Sequence, residues 1–86
     1  MSTLEIEITL SEIIHVVTNG LYPVDDILSF NAALYYIISD SIRAVQFVSL
    51  IEDEFEIEID DDEIDIHFFS DIEKIKQIVM NHLSTK

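Results

Sequence analysis

Glycine and proline occur once each in this chain, as Gly20 and Pro23, and that scarcity constrains the fold more than any other feature. A β-sandwich needs glycine- and proline-rich turns between many short strands, and a disordered tail is enriched in both residues and poor in large apolar ones. Here the hydrophobic share is 49%, dominated by Ile, Leu, Val and Phe. The expectation is an all-α domain with one modest core. At 86 residues the chain is one domain, 1–86, removing about 60–65% of its unfolded surface from water. With no cysteine there is no disulfide framework, thiolate metal site or thiol nucleophile, which suits a reducing compartment. The opening "MSTLEIEITL" has neither a basic region nor an apolar core and does not read as a secretion signal. The longest apolar run, Ala32–Ile38, is far short of the roughly 20 residues of a membrane span, so a cytoplasmic protein is expected.

Charge narrows the choice of partner. Eighteen Asp and Glu against four Lys and Arg give −14, and ten of the acids lie between Glu52 and Asp65. Such a surface repels phosphate backbones and anionic lipid, which excludes nucleic acid as a direct ligand, and it attracts basic protein patches. A run of acids taken alone is more often a solvated face that keeps the protein soluble.

Periodicity then places the helices. Ala44, Phe47, Val48, Ile51 and Phe55 form one stripe of a helix from about Ser41 to Glu56, with Gln46, Ser49, Glu52, Asp53 and Glu56 opposite. Ser70 and Glu73 read as a capping box opening a helix of about 71–83, whose stripe is Ile72, Ile75, Val79 and Leu83. Between them "EIEIDDDEIDIHFF" alternates like a strand without a partner. It is read as loop, a helical turn near Asp61–Asp65, then loop, anchored by Ile57, Ile59, Ile64 and Phe69. Toward the N-terminus, Ile6, Leu10, Ile13, Ile14 and Val17 match a helix that ends near Asn19-Gly20, with Ser2/Glu5 or Thr9/Glu12 as its capping box. Leu21 to Ser39, with Pro23 and Asp25-Asp26, reads as a long loop with one helical turn, pinned by Leu28, Phe30, Leu34 and Ile37.

Chemistry-bearing patterns are few. His15, His67 and His82 have no metal-ligand spacing, "DDDEID" lacks the glycine and closing glutamate of a calcium loop, and one glycine cannot build a phosphate loop. Carboxylates abound, but no pattern suggests an apolar pocket that would raise the pKa of one of them. No catalytic residue and no metal site is assigned, and the chain is not expected to be an enzyme.

One residue remains, Ser41 in Asp40-Ser41-Ile42. Taken alone, Asp40 or Ser41 is a helix cap. Residues 40–83 as a whole, however, resemble the acyl carrier protein family. In that family a D-S-[LI] motif opens the second helix of a four-helix bundle, which continues x-x-V-x-L-V-x-x-L-E-E-E-F-x-I-x-I. Here the chain continues without a gap from Arg43-Ala44-Val45 through Leu50-Ile51-Glu52-Asp53-Glu54-Phe55 to Ile57 and Ile59, and Phe69-Ser70 precedes a last amphipathic helix.

The resemblance implies a small acyl-carrier-protein-like four-helix bundle with a long loop between helices 1 and 2. Its core includes Ile13, Val17, Val48, Ile51, Phe55, Ile59, Phe69, Ile72, Ile75 and Val79. It implies a 4′-phosphopantetheine arm on Ser41, donated from coenzyme A by a phosphopantetheinyl transferase, whose thiol holds an acyl or aminoacyl thioester. Such a carrier serves fatty-acid, polyketide or nonribosomal peptide biosynthesis. Asp40 orients the loop and contributes to transferase recognition, and Ile42, Val45 and Ser49 form a docking edge. Arg43 and Gln46 soften the field beside the serine, while Glu52, Asp53 and Glu56 meet a basic patch on a loading ligase, synthase or transferase. A monomer is expected. The chain departs from the family in having Ile37-Ile38-Ser39 where a glycine usually precedes the Asp, and Asp60 where a Pro is usual. In these respects it is more similar to stand-alone carriers of specialised pathways, including aminoacyl and D-alanyl carriers. The alternative is an unmodified acidic interaction module in which Ser41 only caps a helix.

Overall fold

The computed structural model describes residues 2–22, 27–65 and 67–84, and among these the chain is helical with no strand. Four α-helices follow one another: α1 (Thr3–Val17), α2 (Ile27–Ile38), α3 (Ser41–Phe55) and α4 (Ile72–Ser84). A 3-10 turn, Asp61–Glu63, lies between the last two. The expected all-α four-helix bundle is present.

Helix α1 starts at Thr3 because Ser2 and Glu5 complete a capping box. The Glu5 N–H donates to Ser2 Oγ at 3.2 Å, and the Ser2 N–H donates to Glu5 Oε1 at 3.3 Å. Its buried stripe is Ile6, Leu10, Ile13, Ile14 and Val17, as the spacing predicts. The helix ends where buried Thr18 returns its hydroxyl to the Ile14 carbonyl at 2.7 Å. Asn19 and Gly20 then adopt left-handed backbone, at φ 55° and 72°. A Cβ on Gly20 would meet His15 Cε1 at 3.0 Å, so both conformation and space favour glycine.

Helix α2 corrects the sequence reading. Residues 27–38, expected to be loop with one helical turn, form a 12-residue helix, so the helix opening at Ser41 is the third and not the second. The long connection shrinks to 18–26, of which Pro23, Asp25 and Asp26 lie outside the described residues. Phe30, Ala33, Leu34 and Ile37 fall at helical spacing and are buried, and that burial stabilises the helix. Leu28, expected as a fourth pin, points to solvent at 80% exposure. The helix continues to Ile38, leaving only Ser39 and Asp40 to turn the chain into α3.

Helix α3 buries Phe47, Ile51 and Phe55, and Ala44 and Val48 are half-buried at its margin. It terminates at Glu56, whose left-handed backbone (φ 53°) releases the chain. Ile57 and Ile59 then plug into the core, and the Ile59 N–H donates to Glu52 Oε2 at 2.9 Å. Phe68 and Phe69 fill the space beneath α3. Their rings meet edge to face at 5.0 Å, and Phe69 lies 6.1 Å from Phe47.

The start of α4 also differs from expectation. Ser70 lies one position too early to cap a helix beginning at Ile72, and its hydroxyl donates to the His67 carbonyl instead. Two other side chains take the first N–H groups: Asp71 Oδ1 accepts from Glu73 at 3.1 Å, and Asn31 Oδ1, from α2, accepts from Ile72 at 3.0 Å. Ile72, Ile75 and Val79 face the core with the stem of Lys76. Lys76 is only 7% exposed, and its ammonium reaches Glu73 at 2.8 Å and Glu7 of α1 at 3.2 Å. The hydrogen bond that Lys76 donates to Glu73 holds its pKa above the usual lysine value despite burial, with Glu7 adding to the rise. Helices α1 and α2 each touch the other three, so the core is shared by all four.

Candidate carrier site

The α2–α3 corner is built by Asp40. Its extended backbone (φ −133°, ψ 117°) turns the chain, its Oδ1 accepts the Ile42 N–H at 2.9 Å, and its carbonyl accepts the Ala44 N–H at 3.0 Å. Asp40 is therefore the N-cap, and Ser41 is the first helical residue. The Ser41 side chain is exposed, and its hydroxyl makes no hydrogen bond among the described residues. The N–H groups of Ser41 and Arg43 lack an acceptor there as well, as expected in the first turn of a helix. An accessible hydroxyl thus stands in solvent at the positive end of a helix.

Of the residues assigned to docking, Ile42 and Val45 are 78% and 67% exposed, and Ser49 is exposed on the same face of α3. One turn beyond Ser41 this face opens onto a groove of about 490 Å³. Ala44, Val45, Val48, Ser49 and Glu52 form one wall, and Ile59, Asp61, Ile64 and Phe69 form the other. Glu52, half-buried, anchors the far wall through its bond to the Ile59 N–H. The 3-10 turn carrying Asp61 is held in place by Glu63, which accepts from the Asp60 N–H at 3.1 Å and meets His82 Nε2 of α4 at 2.8 Å. The His82 hydrogen bond depresses the Glu63 pKa below the ordinary glutamate value.

Three residues sit apart from that groove. Gln46 and Asp53 are exposed on α3 outside its lining, and Glu56 ends the helix about 22 Å along the axis from Ser41. Arg43 turns back toward α2, pairing with Asp40 Oδ2 at 3.1 Å and stacking 4.6 Å over the Tyr36 ring. The part played by Tyr36 had no signal in the sequence. The second wall was visible only as apolar anchors.

A family profile described as the phosphopantetheine attachment site matches residues 22–78, more than half of the chain, spanning α2, α3 and the groove. The chain belongs to this phosphopantetheine-binding family. No curated protein and no solved structure matches it. Domains of this family are attachment sites for covalent 4′-phosphopantetheine and act as carriers, not enzymes. The site suits that group, offering an exposed hydroxyl, two N–H donors at a helix N-terminus for a phosphodiester, and an apolar-walled groove within a turn. Among the described residues no helix is long and apolar enough to cross a membrane, and no group of acids and histidines could hold a metal ion.

Proposed function

We propose that Ser41 is the attachment point and that this chain is a carrier of acyl or aminoacyl groups. The observation that carries the reading is the Ser41 hydroxyl, exposed and without a partner among the described residues, at the start of α3 directly after its N-cap and inside the stretch that matches the family. Ser41 Oγ attacks the pantetheine-side phosphorus of coenzyme A in the site of a separate transferase. The pyrophosphate P–O bond breaks, adenosine 3′,5′-bisphosphate departs with the electron pair, and the serine proton passes to a base of the transferase. Once attached, the arm supplies a terminal thiol that holds cargo as a thioester, a role that a chain without cysteine cannot fill from its own side chains.

The remaining residues present that arm. Asp40 fixes the corner, so the hydroxyl sits at one place relative to the helix. Ile42 and Val45 offer apolar contact to a client enzyme, and Ser49, Glu52 and Asp53 continue the edge with polar and negative groups. Attraction between a −14 carrier and basic client patches speeds encounter and weakens with salt, which suits a carrier that must dock and release. Incubation with coenzyme A and a permissive phosphopantetheinyl transferase, followed by intact mass measurement, should show one added phosphopantetheinyl group. The Ser41→Ala chain should gain none. An unchanged mass for the parent chain would leave the acidic interaction module as the better reading.

A further inference from the structure

Arg43 is the only arginine in the chain, and the other three cations lie at Lys74, Lys76 and Lys86, in or beyond α4. Its guanidinium is committed on two sides: Nη1 pairs with Asp40 Oδ2 at 3.1 Å, and Cζ lies over the Tyr36 ring, 4.6 Å from its centroid. Tyr36 in turn packs on Tyr22 at 5.1 Å, beyond the end of α1. The contacts run unbroken from the segment after α1, through α2 and α3, to the carboxylate beside Ser41. The same carboxylate uses its other oxygen, Oδ1, to cap α3. Both Asp40 oxygens are therefore held, one by the helix it starts and one by Arg43.

From this chain of contacts we infer that Arg43 is a positioning residue for loading the carrier: it locks the Asp40-Ser41 corner and offsets the Asp40 charge where a phosphodiester is to form. The inference rests on Ser41 being the attachment point. Transfer places a new anion one residue from Asp40, in a chain that already carries −14. Without Arg43 that anion forms beside a carboxylate that has lost its cation, and Asp40 loses its side-chain link to Tyr36, although the hydrogen bonds of Ser39 and of the Asp40 N–H to the end of α2 remain. Ser39 and Asp40 alone join the two helices, and Arg43 adds to their backbone hydrogen bonds a contact that fixes the Asp40 carboxylate against α2. Arginine suits the position better than lysine, since a planar fork can pair with a carboxylate edge while its face lies on a ring.

The test follows transfer kinetics with coenzyme A and one transferase for the full chain and for Arg43→Gln, Arg43→Lys and Tyr36→Leu, with far-UV circular dichroism confirming that each is folded. Arg43→Gln should lower kcat about tenfold, equivalent to about 1.4 kcal/mol of barrier, while KM for the carrier changes less than threefold. Arg43→Lys should recover part of the loss by restoring the charge, and Tyr36→Leu should show a smaller loss than Arg43→Gln. A parent chain that loads at Ser41 alongside an Arg43→Gln chain with unchanged kcat and KM would overturn the inference alone. So would a loss in KM only, which would make Arg43 a docking contact. A parent chain that gains no mass would overturn the attachment reading and this inference with it.

Discussion

Replacing Asn31 by Ala tests how α2 docks on the start of α4. Its Oδ1 accepts the N–H of Ile72, a buried residue at the start of α4, across 41 positions of sequence. Losing a cap of this kind costs about 1 kcal/mol, and a donor left without a partner in a part-buried place adds a fraction of the 1–3 kcal/mol desolvation penalty, so about 1.5 kcal/mol is expected in total. For a domain of this size that lowers Tm by roughly 6–12 °C. Asn31→Asp keeps the acceptor and places an anion at the N-terminus of α4, so it should lose much less. Leu28→Ala, at an 80% exposed position of the same helix, should stay within about 0.5 kcal/mol. Urea unfolding followed by circular dichroism provides the measurement. If Asn31→Ala matched the parent chain within about 0.3 kcal/mol, the docking of α2 on the start of α4 would be wrong.

Other perturbations bear on the remaining features. At exposed Tyr35, Gly should be about 1 kcal/mol less stable than Ala in urea unfolding, because α2 is helical there. Asp40→Ala should cost about 1–2 kcal/mol by the same assay, combining the lost cap of α3 with a partly exposed ion pair. Ser41→Ala should stay within about 0.5 kcal/mol, because Asp40 and not the serine caps the helix. Glu63 has a folded pKa below its unfolded one, so its contribution is present above the unfolded value and lost as pH falls through the folded one. The stability difference between the parent chain and Glu63→Gln should therefore shrink on acidification through the carboxylate range, in a series of melts at stepped pH. Lys76 has the opposite sign: its contribution is complete below the ordinary lysine value and fades as pH rises through its raised folded pKa, so Lys76→Met should lose less relative to the parent at the alkaline end of such a series.

Three helices were legible because each has a polar face to set off its apolar one. In α1 the stripe Ile6, Leu10, Ile13, Ile14 and Val17 stands out against Glu5, Glu7, Ser11 and Glu12, and Ser2 marks its start. Helix α2 has no such contrast: "ALYYII" is apolar on every side, and without a polar face its period cannot be read. Its burial is decided by α1, α3 and α4, which no local pattern encodes. The cap of α4 is hidden from the sequence for a related reason, since Asn31 supplies an acceptor from far away in sequence and Ser70 sits one position off. Phe68 is fully buried beside Phe69, yet an irregular segment has no period from which its facing can be read. At the site, Asp40-Ser41 and the docking edge of α3 were readable from local order. The clamp of Tyr36 on Arg43 depends on how α2 crosses α3 and left no trace in the spacing.

Proteolysis of the loaded protein and tandem mass spectrometry of the peptide spanning residues 40–43 test the central claim most directly. The account predicts that the phosphopantetheinyl group is found on Ser41 and on no other hydroxyl. Its recovery on Ser39 or Ser49, or a peptide left unmodified under conditions that load a known carrier, would contradict it.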